Sequence, residues 1–107
     1  MRSSNLIVVQ TTVASAKAAR SLAKAIVQAR LAACIQVSRI HSTYRWRNRI
    51  EHAAEWLLTA KTRRASAKAL MAFIRRHHPY EVPEIVAFNI AHTSRAYGAW
   101  VLAETKP

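Results

Sequence analysis

Aspartate is absent from this sequence, and glutamate supplies all five of its acidic residues. No serine, histidine and acid occur at a spacing recognisable for nucleophilic catalysis, so an enzyme is the weaker class of reading. Glycine occurs once, at Gly98, which leaves no glycine-rich loop to cradle a phosphate, and no HExxH pattern is present. Cysteine also occurs once, at Cys34. That excludes an intrachain disulfide and agrees with a reducing compartment. Set among Ala32, Ala33 and Ile35, Cys34 reads as an inert core thiol. The ligand spacings of a structural zinc site are missing as well. Long apolar runs are also lacking: Leu6 to Val9 is four residues, where a signal segment wants about 7 to 15, and nothing nears the roughly 20 of a membrane span. The expectation is a cytoplasmic protein with no membrane partner.

What is present fits one folded domain over 1–107, with 51% apolar and 21% charged residues. Seventeen lysines and arginines against five glutamates give a formal net charge of +12. Such a balance draws the chain towards polyanions whatever its fold, but selects no partner.

The β-branched stretch Asn5–Thr12 predicts a buried strand. Ser15–Arg30 predicts a helix, with Ala19, Leu22, Ala23, Ile26 and Val27 at spacings of three and four and Lys17, Arg20 and Lys24 on the wet side. Leu31–Thr62 has no helical period and fits two long strands. Their hairpin tip falls near Asn48, a residue type that tolerates the positive φ of a tight turn. On the returning strand, Trp56, Leu58 and Ala60 share a core-facing side; Leu57 on the other side suggests that this side too is covered, by another subunit. Arg63–His78 predicts a second helix that Pro79 stops. Glu84–Ile90 predicts a fourth strand and Ser94–Glu104 a short last helix. The order is that of a ferredoxin-like β-α-β-β-α-β α+β sandwich with an added C-terminal helix and a long β2–β3 hairpin.

Four stretches resemble the CutA divalent-cation tolerance family: "LAAC" opening the second strand, "YRWRNRIEHAAEWLLTAKT" across the hairpin, "HHPYEVPEI" after the second helix, and Tyr97, Gly98, Ala99 and Trp100 near the C-terminus. The resemblance implies a tight homotrimer in which the hairpins wrap neighbouring subunits. This architecture is shared with the PII signalling proteins, whose effectors bind in clefts between subunits. It further implies a regulatory module for metal ions such as copper. Three departures stand out. Asn48 occupies a usual glycine position; Gln10 stands where some relatives carry a cysteine proposed to bind copper with the paired histidines; and the basic surface is unlike the acidic balance common in relatives.

Two readings of His77 and His78 stay open. They end a helix and can bond its last carbonyls, or they can bind a divalent ion, Cu2+ or Zn2+, weakly. Adjacent helix residues point about 100° apart, so a shared ion needs help from the chain end, and Gln10, Cys34 or His92 could add a ligand. The segment from Pro79 to Pro83 reads either as a rigid joint or as part of a cleft. The resemblance places Tyr80, Glu81 and Pro83 beside Trp46, Glu55, Lys61 and Trp100, lining an intersubunit site for a small anion or metabolite. The alternative to a ligand-binding module is a nucleic-acid-binding protein that uses the basic helix faces, although RNA-binding sheet aromatics are not evident.

Overall fold

A computed structural model describes residues 5–106. The chain runs β1 (Leu6–Val13), α1 (Ala16–Gln28), β2 (Cys34–Trp46), β3 (Arg49–Arg63), a 3-10 turn (Arg64–Ser66), α2 (Ala67–His77), β4 (Ile85–Asn89) and α3 (Arg95–Glu104). The four strands form one antiparallel sheet in the order β2-β3-β1-β4, the ferredoxin-like order expected from the element sequence.

The hairpin fixes everything that follows. Arg47 and Asn48 have φ of 51° and 66°, the two positive values that a two-residue type I′ turn requires. Trp46 therefore pairs with Arg49, Tyr44 with Glu51, Ile40 with Glu55 and Cys34 with Lys61. β1 reaches only as far as the Val13–Trp56 pair, so beyond it β2 and β3 continue as a two-stranded arm. The arm lengthens the molecule to 45 Å against 26 and 21 Å in the other directions.

Strand alternation then sorts side chains onto two sides of the sheet. On one side Val9, Val13, Leu58 and Ala60 meet Ala19, Leu22 and Ile26 of α1 and Leu70 and Ile74 of α2, all buried. Trp56 shares that side, as its alternation predicts, but it lies at the base of the arm and is only half-buried, with the Arg39 guanidinium 5.3 Å from its ring centre. The side away from α1 and α2 is covered at one end by α3. There the Arg63 guanidinium donates to the carbonyls of Leu102 and Thr105 and to the Thr105 hydroxyl. The rest of that side, including Gln36, Val86 and Phe88, remains exposed.

Helix ends are set by local chemistry. Ser15 caps α1, its hydroxyl accepting the Ala18 N–H at 3.1 Å. The predicted run to Arg30 is shorter in the structure because Arg30 turns to φ 60° and the Leu31 N–H closes back on the Ile26 carbonyl at 3.1 Å. Likewise β3 holds its pairing through Arg63, opposite Leu6, so the second helix starts at Ala67 rather than Arg63. Pro79 stops it as expected, leaving His78 extended.

Candidate functional site

Where β1 ends, the loop of residues 79–84 lies beside the arm, and between them opens a groove of about 700 Å³. The hairpin register supplies one wall: Ser42, Tyr44 and Trp46 on β2 share a side with Glu55 on β3. The loop supplies the other through Tyr80, Glu81, Val82, Pro83 and Glu84, with Thr12 at the end of β1. Glu55 is only 9% exposed. The Tyr80 hydroxyl donates to Glu55 Oε2 at 3.4 Å, a long bond, and among the described residues no cation is paired with this carboxylate. A buried acid so weakly satisfied favours a positive partner in the groove. The sole ion pair among the described residues, Arg47 with Glu81 at 3.2 Å, ties the hairpin tip to the loop on the surface. Burial first, then the charge and hydrogen bond of Glu55 and the nearby Tyr44, raise the Tyr80 pKa above its ordinary value of 10.

His78 anchors the loop from behind. The Tyr80 N–H donates to its Nδ1 at 3.2 Å, so its Nε2 carries the proton and donates to the Thr12 carbonyl at 2.7 Å. The buried ring also meets Tyr80 edge-on, with centres 4.6 Å apart. His77 points elsewhere. Its Nδ1–H donates to the Phe73 carbonyl at 2.8 Å and its ring stacks on Phe73 at 4.2 Å, leaving Nε2 towards solvent. An ion shared by both histidines would have to displace at least one of the two bonds that hold the His78 ring. Gln10 donates to the Thr59 hydroxyl at 3.4 Å, and Cys34 lies near Tyr97, whose pKa is raised by burial and then by that thiol. Among the described residues no three His, Cys or Glu side chains are grouped to hold a metal ion.

Of the cleft residues expected from the sequence, Trp46, Glu55, Tyr80, Glu81 and Pro83 line this one groove. Lys61 and Trp100 do not. Lys61 lies six residues along β3 from Glu55, about 20 Å at strand rise, and bonds to Gln36. Trp100 stands on α3 with its ring 5.7 Å from Tyr97. Thr12, Ser42, Thr43, Tyr44, Val82 and Glu84 also line the groove and were not expected from the sequence. For Ser42 and Tyr44 the signal was available: with a two-residue turn at Arg47 and Asn48, both fall on the side of Glu55.

The family model described as CutA1 divalent ion tolerance protein matches residues 7–104. The divalent-cation tolerance protein CutA of Thermus thermophilus is 42% identical over 92% of this chain and 96% of its own length. Protein CutA of Homo sapiens is 38% identical over 84% of this chain, which spans about half (51%) of that longer relative. The structure of CutA from Synechococcus elongatus superposes with a TM-score of 0.95 at 32% identity, over 99% of this chain and 95% of that one. The chain therefore belongs to the CutA1 divalent-ion tolerance family.

Proposed function

We propose that the chain is a divalent-cation tolerance protein of the CutA type, working as a cytoplasmic binding and regulatory module rather than an enzyme. Its subunit is a single domain that assembles as a homotrimer, with ligand sites at the subunit clefts. The observation that carries the reading is the groove. In a chain of net charge +12, three of the five glutamates, Glu55, Glu81 and Glu84, line it together with Tyr44, Trp46 and Tyr80. Carboxylates beside aromatic faces suit a cation, because both attract positive charge. On this reading the groove takes a cation rather than an anion: a small organic cation, or a divalent ion held mainly by Glu55 with water completing its coordination, since among the described residues no three ligating side chains are grouped there. Lys61 and Trp100 enter the cleft only if a neighbouring subunit brings them. The exposed apolar side chains of Val86 and Phe88, on the side of the sheet that α3 leaves open, support burial against copies of the chain.

Copper or zinc binding through imidazole is assigned to His77 Nε2, with His78 kept as the anchor of the loop. With one imidazole and no thiolate at Gln10, such a site holds its ion weakly and keeps water in the coordination sphere. Calorimetric titration of chelator-free protein with CuCl2 and ZnCl2 tests both parts. Glu55→Gln should weaken groove binding at least about tenfold, equivalent to about 1.4 kcal/mol. His77→Ala should remove only the weaker phase. Uptake unchanged in both variants would refute the reading.

A further inference from the structure

The two sides of the sheet differ in charge more sharply than the total suggests. Glu51 and Glu55 alternate onto the side of β3 away from α1 and α2. Glu81 and Glu84 line the groove on that side, and Glu104 lies on α3, which packs there too. No glutamate stands on the side covered by α1 and α2. That side instead exposes Lys17, Arg20 and Lys24 from α1, Lys68 and Arg75 from α2, and Arg39 from the neighbouring β2, none of them in an ion pair among the described residues.

The arrangement of these cations narrows the partner. Lys17, Arg20 and Lys24 recur at spacings of three and four and form one stripe about 10 Å long, beside the cations of α2, which packs against α1. The apolar stripes of both helices, Leu22 and Ile26 with Leu70 and Ile74, are consumed by the core, so these helices have no apolar face to sink into lipid. Aromatic platforms for unstacked bases are missing as well. The exposed aromatics Tyr44, Trp46, Phe88, Tyr97 and Trp100 belong to the opposite side, Trp56 lies beneath Arg39, and Phe73 is covered by Arg76 and His77. Cations without apolar or aromatic anchors suit the regular phosphates of a duplex.

We propose that the α1–α2 side is a second binding surface, which takes double-stranded nucleic acid through its phosphates without reading base sequence. It stands apart from the groove, and neither reading depends on the other. Fluorescence anisotropy of the full chain with a labelled 20-base-pair DNA duplex of mixed sequence tests it. With about six phosphate contacts, affinity should fall about 10³-fold between 50 and 200 mM NaCl. Replacing Lys17, Arg20 and Lys24 together by glutamine should flatten the slope of log affinity against log salt by about 3 and weaken binding at 50 mM NaCl at least tenfold. The pair Lys68→Gln and Arg75→Gln should act in the same direction. Arg49→Gln, on the opposite side, should stay within about twofold, with thermal melts showing each variant folded. The proposal is overturned by a duplex that does not bind at 50 mM NaCl, by glutamine variants that bind like the parent, or by an equal loss in Arg49→Gln. A preference above tenfold between two duplex sequences would overturn its sequence-blind part. Binding to phosphatidylserine vesicles without binding to the duplex would overturn the choice of partner.

Discussion

The side of the sheet under α1 and α2 and the side bearing the groove are built from the same strands, yet they invert each other's chemistry. Beneath the helices, the sheet's side chains form an apolar core, and the charged residues on the surface above it are all basic. On the groove side, the sheet leaves apolar and aromatic groups in solvent and gathers the carboxylates. A period of two is enough to do this, because each strand residue is committed to one side by its neighbour. The comparison teaches that a net charge of +12 is a poor guide to the character of the groove, where three of the five glutamates gather.

The largest test strikes the helix side. Leu58→Ala should cost about 2 to 5 kcal/mol, since Leu58 is 1% exposed between β1 and the helices, and denaturant melts would read the loss. Trp56→Ala should cost less than removal of a fully buried aromatic, about 2 to 3 kcal/mol, because its ring is half-open under Arg39. A larger loss would mean that a neighbouring copy covers the base of the arm.

Next comes the turn that sets the register of both sides. Asn48→Val should cost about 1 to 2 kcal/mol, because a branched side chain resists φ of 66°, whereas Asn48→Gly should cost nothing. Equal melts for Asn48→Val and the parent would contradict the type I′ assignment.

On the groove side, Tyr80 offers a pH signature. Its pKa is raised in the folded chain, so the folded state holds its proton more tightly than the unfolded state does. The resulting stabilisation is fully present below about pH 10 and is lost as pH rises through the folded value. Tyr80→Phe should therefore make the melting temperature fall less steeply with pH above 10, and phenolate absorbance should lose one of its two late-titrating components, Tyr97 supplying the other. The smallest effect belongs to the Arg47–Glu81 pair, whose side chains are 71% and 70% exposed. Arg47→Gln should change stability by less than about 1 kcal/mol, measured by the same melts.

Much of this architecture was legible before any coordinates. The spacing of Leu22 and Ile26, of Leu70 and Ile74, and the alternation of Leu58 and Ala60 each gave an element and its buried side. Helix ends were less legible, since the positive φ of Arg30 and the continued pairing of Arg63 depend on partners distant in sequence. The groove was half legible. Trp46, Glu55, Tyr80, Glu81 and Pro83 came from resemblance, while Tyr44 and Ser42 needed the register counted out from Asn48. The division between His77 and His78 was not legible. It rests on whether the Thr12 carbonyl and the Tyr80 N–H reach one ring, which no local pattern encodes.

The central claim is that the acidic, aromatic groove is the cation site of a homotrimer, and native mass spectrometry of chelator-free protein tests it most directly. The account predicts a particle of three chains, each 12.0 kDa, carrying a bound cation mass that disappears in Glu55→Gln while the trimer persists. A free 12.0 kDa chain, or an identical bound mass in parent and variant, would contradict it.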